Sequence, residues 1–179
     1  KQLADWFGLP MLQSIINTVT STGVKPFVML GAHADKIITS TEADLSLCNV
    51  VMVDGWQEGM SAAIRVFAGK VRELNTGQDK KYDGVLILLG DQPLLEESDL
   101  RVLFDRIQTS SGRAVCCRYA NGVGVPVYFP AAMLGELSGL SGKKGAKALI
   151  ESIDHDSIAL ACSLTDVDSQ SDLVRARAL

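Results

Sequence analysis

The sequence has little of what marks a membrane protein, a metal cluster or a nucleic-acid-binding protein. No apolar segment approaches the ~20 residues that cross a bilayer, and no secretory signal is visible. The four cysteines include no CxxC pair and have no histidine at ligand spacing, which predicts reduced core thiols in a cytoplasmic protein. A net charge of -4 and a pI of about 5.1 give no general affinity for nucleic acid.

Familiar catalytic signatures are also missing. No Ser–His–Asp or Cys–His set is evident in the sequence. The loop Ser141–Lys147, SGKKGAK, places two lysines between glycines but lacks the GxxxxGK spacing of a P-loop. It is either an anion cradle or an exposed basic turn. A phosphorylated ligand would need lysines, backbone N–H groups or a metal ion to neutralise its charge.

What the chain does have is a regular alternation of apolar runs and helical patterns. Its 179 residues, 47% of them apolar and 21% charged, suit one domain over residues 1–179. The predicted strands are Pro26–Leu30, Val50–Val53, Val85–Leu89, Ala114–Tyr119, Pro126–Phe129 and Ile158–Cys162. The predicted helices are Pro10–Thr22, His33–Ser40, Met60–Leu74, Asp99–Gln108, Ala131–Leu137, Ala146–Ile153 and Asp172–Ala178. This order predicts an α/β fold with a mostly parallel sheet covered on both faces, and the turn at Asn121–Gly124 brings in one antiparallel strand.

The segment Asp83–Leu95, DGVLILLGDQPLL, carries the strongest functional signal. Five consecutive aliphatic residues, Val85–Leu89, predict a strand that is buried on both faces. The strand exits at Gly90 and Asp91, and ligands of open α/β sheets bind at the carboxyl ends of strands. Asp91 is therefore a candidate neighbour of a metal ion or a nucleotide phosphate, unless it only caps the helix that starts near Glu96 or shapes a turn through Pro93.

Two earlier strand exits are also rich in glycine. Gly31 follows the first predicted strand and lets the backbone approach a ligand closely, with His33 as a ligand contact or a surface residue. Gly55 and Gly59 flank a loop that leads into a long helix, whose free N–H groups favour an anion. Ser61 is the expected cap of that helix, either beside an anion or for stability alone.

A second carboxylate is expected at another strand exit. Mg2+ prefers one or two protein carboxylates together with phosphate oxygens and water. Asp166 and Asp168 follow the last predicted strand, and their alternating positions place both side chains on one side of an extended backbone. Either residue is a candidate partner of Asp91, and capping of the final helix is the alternative role for one of them.

Six short segments together carry a family resemblance. They are LGAHADKI at Leu30–Ile37, EGMSAAI at Glu58–Ile64, LLGDQPLL at Leu88–Leu95, GVPVYFP at Gly124–Pro130, SGKKGAKALI at Ser141–Ile150 and TDVDSQSDL at Thr165–Leu173. In this order, and covering nearly the whole chain, they resemble the nucleotidyltransferases that attach a nucleotide to molybdopterin. The similarity is strongest to the molybdenum cofactor cytidylyltransferases.

The resemblance implies a three-layer α/β/α Rossmann-like fold of the nucleotide-diphospho-sugar transferase type, with a mostly parallel sheet and one antiparallel strand. It implies transfer of CMP from CTP to molybdopterin with release of pyrophosphate, dependent on Mg2+ or alternatively Mn2+. A molybdenum-containing oxidoreductase is the implied receiver of the product. The residues assigned in this way are Lys1 and Asp91 for catalysis, Asp91 and Asp168 for the metal with Asp166 as substitute, and Gly31, Gly55, Gly59, Ser61, Gly90, Lys143 and Lys144 for the nucleotide or the acceptor.

The start of the sequence departs from the family pattern. The family opens with a strand and a glycine-rich loop of the form LAAGxSxRMGxxK, which holds the triphosphate. Only the last lysine of that pattern is matched here, by Lys1, so the resemblance implies that a central strand and this loop are missing from the given sequence. Two other functions stay open: a cytidylyltransferase for a methylerythritol or sugar phosphate, and a non-catalytic carrier of molybdopterin.

Overall fold

The computed structural model describes residues 1–40, 42–76, 82–120, 122–142, 145–160 and 166–178. Its strands are β1 (Asp5–Trp6), β2 (Leu9–Pro10), β3 (Phe27–Leu30), β4 (Asn49–Met52), β5 (Gly84–Ile87), β6 (Ala114–Tyr119), β7 (Gly122–Pro130) and β8 (His155–Ile158). Its α-helices are α1 (Met11–Ser21), α2 (Ala34–Ile38), α3 (Met60–Leu74), α4 (Glu97–Thr109), α5 (Leu134–Ser138), α6 (Lys147–Ser152) and α7 (Gln170–Ala176). None of these helices combines the length and the apolar character that a bilayer crossing demands, within the described ranges.

The largest sheet has four strands in the spatial order β5, β7, β6, β8. β7 runs antiparallel to both β5 and β6, whereas β6 and β8 pair in parallel. β3 and β4 form a separate parallel pair. The prediction of a mostly parallel α/β fold with one antiparallel strand is therefore confirmed for the main strands. The short antiparallel pair β1–β2 was not predicted, because two-residue strands carry too little pattern.

Apolar side chains cover both faces of the four-stranded sheet. On one face, Val85 and Cys116 belong to a core formed with α3, α5 and α6. On the other face, Leu86 and Cys117 belong to a core formed with α1 and α4. Because adjacent residues of one strand point to opposite faces, β5 and β6 are covered on both sides and the layers are α/β/α.

A cleft of about 540 Å³ lies between β3 and β5. Its lining is largely apolar and includes Leu12 of α1, Val28 of β3 and Leu86 of β5. In the part of the chain that the structure describes, β3 pairs with β4 alone and β5 pairs with β7 alone. The strand edges beside the cleft therefore carry no hydrogen-bonded strand among these residues.

Two strands differ from their predicted bounds. The last strand was predicted at Ile158–Cys162, but the structure places it earlier, at His155–Ile158, and residues 161–165 lie outside the described ranges. The sequence did not indicate this strand because its residues are polar. A buried aspartate such as Asp156 is uncommon in a strand unless it is paired with a positive charge. β5 stops at Ile87 rather than Leu89, since the next residue of its partner strand is Pro126, which has no N–H to donate.

Candidate active site

Two carboxylates from distant parts of the chain meet at one ammonium group. The Nζ atom of Lys1 lies 2.6 Å from Oδ2 of Asp91 and 2.6 Å from Oδ1 of Asp168. The two oxygens are therefore at most twice that distance apart, and they share the ammonium group as a common cation. The Asp91 side chain is 17% exposed and the Asp168 side chain 74% exposed, so the pair is shielded on one side and open to solvent on the other.

Backbone and core contacts hold the second carboxylate against the exit of β5. The N–H group of Val167 donates to the carbonyl oxygen of Asp91 at 2.9 Å. Val167 is itself buried in a small core with Trp6 and Leu173. The packing of α7 on the N-terminal segment thus fixes the loop that carries Asp168, and this places the side chain within reach of Lys1.

Neither aspartate of the pair serves as a helix cap. α4 is capped by Glu96, which forms a capping box with Asp99. α7 is capped by Ser169, which forms a second capping box with Asp172. The capping alternatives for Asp91 and for the 166–168 loop are therefore wrong, and the carboxylates at these two exits are available for other contacts.

Gln92 is a site residue that the sequence analysis missed. Its side chain is 2% exposed, its Nε2 donates to Oδ1 of Asp166 at 2.9 Å, and its Oε1 is buried without a described partner. Oδ1 of Asp91 is also buried without a described partner. A buried oxygen without a hydrogen-bond donor costs free energy. A hard divalent cation can satisfy such oxygens, because it binds oxygen ligands. The one signal that could have indicated Gln92 is its position directly after Asp91.

The charges of the cluster act on one another. Burial disfavours the charged form of Lys1, but hydrogen bonds to Asp168 and Asp91 outweigh it and raise the pKa of Lys1 above its ordinary value. Burial raises the pKa of Asp166, its hydrogen bond from Gln92 opposes this, and the charges of the other two aspartates add to the rise. At neutral pH the cluster therefore holds a protonated lysine between carboxylates, a position already shaped for a cation.

The protein supplies only part of a metal coordination shell. Within the described ranges, no group of three or more His, Cys, Asp or Glu side chains is arranged to hold a metal ion. A cation beside Asp91 and Asp168 would take its other ligands from phosphate oxygens and water, which is the pattern that Mg2+ prefers. The arrangement thus suits a cation that arrives with a polyphosphate.

The glycine-flanked loop before α3 lies where the sequence predicts it, but its cap differs. Gly55 and Gly59 have φ angles of 72° and 101°, which favour glycine at both positions. Gly59 is the N-cap of α3, and no described side chain bonds the first N–H groups. Ser61 is 0% exposed and its Oγ has no described partner, so the prediction that it caps the helix is wrong. The helix starts at Met60, which places Ser61 inside the first turn.

The first strand exit is occupied by protein atoms. A Cβ added to Gly31 would lie 2.5 Å from Cβ of Trp56, so this glycine lets the Trp56 loop pack against β3. His33 is exposed, has a φ of 60° and precedes α2 without making a capping hydrogen bond. The structure thus gives Gly31 a packing reason, and its contact with a ligand stays a prediction.

Of the remaining predicted residues, Gly90 lies beside the site. Gly90 directly precedes Asp91, and a Cβ there would make an ordinary contact of 3.5 Å with Leu12. Lys143 and Lys144 lie outside the described residues. The structure therefore brings together Lys1, Asp91 and Asp168.

Comparison with known proteins identifies the family. A family model described as the MobA-like NTP transferase domain matches residues 1–158. The chain belongs to this family. As a MobA-like NTP transferase it is a nucleotidyltransferase, and the family resemblance of the sequence motifs is confirmed. The comparison with curated proteins gives no significant match.

Solved structures agree with this assignment. The MobA-like chain is similar to Rv0371c from Mycobacterium tuberculosis H37Rv, with 27% identity and a TM-score of 0.82 over 100% of this chain and 90% of that one. The manganese complex of Rv0371c gives 26% identity and a TM-score of 0.80 over 99% and 91% of the two chains. Molybdopterin-guanine dinucleotide biosynthesis protein A from Archaeoglobus fulgidus shares the fold, with 14% identity and a TM-score of 0.71 over 99% and 89%. The expected Rossmann-like nucleotidyltransferase fold is confirmed.

Proposed function

We propose that this MobA-like NTP transferase moves CMP from CTP to molybdopterin carrying molybdenum and releases pyrophosphate. The observation that carries the proposal is the convergence of Asp91 and Asp168 on one ammonium group, beside two buried oxygens without described partners. The ordered motifs, which resemble the cytidylyltransferases of this cofactor, support CTP and molybdopterin as the substrates. A molybdenum-containing oxidoreductase would receive the product.

The proposed reaction is an in-line displacement at the α-phosphorus of the triphosphate. A phosphate oxygen of the acceptor forms the new bond to phosphorus, and the bond from phosphorus to the oxygen that bridges to the β-phosphate breaks. Pyrophosphate leaves with that oxygen. No covalent enzyme intermediate is needed, so the protein accelerates the reaction by positioning the substrates and neutralising their charge.

The residues present fit a site for a divalent cation. Asp91 and Asp168 would hold Mg2+, or Mn2+ as in the complex of the relative Rv0371c, and the oxygens without partners at this exit are of the type that such cations prefer. When bound, the ion offsets negative charge on the triphosphate. Lys1 would bind phosphate oxygens through its ammonium group.

The other predicted positions would surround the substrates. The N-terminus of α3 behind Gly55 and Gly59 would bind an anion through its first backbone N–H groups, which no described side chain caps. Ser61, buried in the first turn, would support that terminus. Gly31 and Gly90 lie at strand exits beside the same proposed nucleotide, and Lys143 and Lys144 are proposed to bind the acceptor phosphate.

The test is pyrophosphate release by the full-length protein from each of the four nucleoside triphosphates, with and without molybdopterin. We expect release from CTP only when molybdopterin and a divalent cation are both present. Release that requires GTP would overturn the choice of nucleotide, and release with a methylerythritol or sugar phosphate would overturn the choice of acceptor. Tight molybdopterin binding without release from any nucleotide would instead indicate a carrier.

A further inference from the structure

The ammonium group of Lys1 holds a position that a metal ion would need. Nζ lies 2.6 Å from one carboxylate oxygen of Asp91 and 2.6 Å from one of Asp168. An ammonium group is a compact point charge with three donors, so it contacts both oxygens at once. A divalent cation bound to the same two oxygens would also lie between them, and Mg2+ would draw the carboxylates closer because it prefers distances of about 2.0–2.1 Å.

A divalent cation and the Lys1 ammonium group would compete for this carboxylate pair. Both would draw on the same two oxygens, and like charges a few ångströms apart repel in a partly buried site. The site also has acceptors that the lysine leaves unused: Oδ1 of Asp91 and Oε1 of Gln92 are buried without described partners. Gln92 is 2% exposed, and its Nε2 donates to Asp166. The lysine therefore satisfies the site only in part.

Hydrogen bonds anchor the backbone around Lys1, whereas the side chain beyond this anchor is long and partly exposed. The Lys1 carbonyl accepts a hydrogen bond from the Ala4 N–H at 2.9 Å, and the Gln2 carbonyl accepts one from the Leu12 N–H at 3.0 Å. Beyond this anchor, the Lys1 side chain is a four-carbon stem that is 31% exposed. Such a side chain can leave the carboxylates without any change of fold.

We infer that Lys1 occupies the cation position in the nucleotide-free protein and is displaced when the divalent cation binds, which releases its ammonium group toward the triphosphate. The exchange keeps the carboxylates paired in both states. It also ensures that lysine binds phosphate only once the metal is in place. This inference rests on the proposed function for the identity of the polyphosphate, but the competition between Lys1 and the metal does not.

The experiment titrates the full-length protein with Mn2+ alone and follows free Mn2+ by electron paramagnetic resonance. Lys1→Met removes the competing cation, so we expect it to bind Mn2+ about tenfold more tightly than the wild type. Lys1→Arg keeps a cation in place and should bind Mn2+ about as weakly as the wild type. Lys25→Met removes a lysine that is exposed before β3, and as the matched charge control it should leave Mn2+ affinity unchanged.

A second titration, with inorganic tripolyphosphate in the presence of saturating Mn2+, separates exchange from a purely structural role. Lys1→Met should bind tripolyphosphate about tenfold more weakly, because the released ammonium is missing. Opposite changes in the two affinities support the exchange. Unchanged or weaker Mn2+ binding by Lys1→Met overturns it, since a structural lysine would lower both affinities together. Failure of CTP to react with molybdopterin would leave these Mn2+ results standing and would concern the proposed function alone.

Discussion

Asp91 follows β5 in the chain, with one carboxylate oxygen on Lys1 and the other buried without a described partner. We expect Asp91→Ala to lower metal-dependent pyrophosphate release at least about 100-fold, because several kcal/mol of charge stabilisation by the ion are lost. The measurement is steady-state pyrophosphate release at saturating Mg2+, together with circular dichroism to verify the fold.

The control for this variant is Asp105→Ala, which removes an exposed carboxylate from α4 and should retain full activity. Turnover of Asp91→Ala at the wild-type rate would remove Asp91 from the active site. Equal loss of activity in both variants would show that the overall negative charge of the chain matters, and not this position.

Burial controls the chemistry of the two adjacent thiols on β6. It raises the pKa of Cys116 to about 11, with the charge of Asp156 adding to it, and the pKa of Cys117 to about 12. Raised pKa values mean that the folded protein favours the neutral thiols. The stability that the two thiols contribute is therefore fully present below the ordinary pKa of 9.0 and is lost as the pH rises through about 11 to about 12. Both residues are free and belong to different cores, as the sequence predicted; Cys162 lies outside the described residues.

We therefore expect Cys116 and Cys117 to resist iodoacetamide at pH 8 in the native protein and to react fully in guanidinium chloride, because only the thiolate is a nucleophile. Trypsin releases both in the peptide Ala114–Arg118, whose mass reports alkylation. Labelling of this peptide in the native protein at the rate of the unfolded chain would contradict the buried placement of β6.

At the scale of elements, an ion cluster joins β8 to α4 and to the start of β6. Asp156 is 7% exposed, and its carboxylate lies 2.7 Å from Nη2 of Arg113 and 2.9 Å from Nη2 of Arg106. Both guanidinium groups are partly exposed, so the carboxylate is the group that depends on the contact. A buried charge without its partners is strongly destabilising.

The double variant Arg106→Ala with Arg113→Ala should accordingly lower the free energy of unfolding by about 3 kcal/mol, measured by urea denaturation. Arg101→Ala on the same helix breaks an exposed ion pair with Glu97 and should cost less than about 0.5 kcal/mol. Similar small losses in both proteins would show that the Asp156 carboxylate is solvated in solution.

Elements with a strong local pattern were predictable. α3 has the predicted bounds, Met60–Leu74, because its apolar residues repeat with helical spacing and two glycines mark its start. The position of β8 was predicted wrongly because its residues are polar and the burial of Asp156 depends on arginines from outside the strand. The predicted capping roles were wrong because other residues cap these helices. Glu96 caps α4 and Ser169 caps α7, each through a capping box.

At the scale of the whole molecule, the β3–β4 pair and the four-stranded sheet are separated by the apolar cleft. β7 has a hydrogen-bonded neighbour on both sides, whereas β3 has one in the described part of the chain. We expect amide hydrogen exchange of the 179-residue chain to be slower by more than tenfold at Val127 of β7 than at Val28 of β3, because β3 can open without disrupting the larger sheet.

Equal protection of Val127 and Val28 would contradict this expectation. It would mean that β3 opens only together with the larger sheet.

The sequence by itself determined the alternation of strands and helices, the apolar character of β5 and the candidates at its exit, because periodicity and strand-end chemistry are local properties. Only the tertiary structure decided that Lys1 reaches Asp168, 167 residues away along the chain, and that Gln92 lies buried beside them. Packing of α7 against the N-terminal segment sets that meeting point, and packing between distant elements leaves no spacing pattern in the sequence.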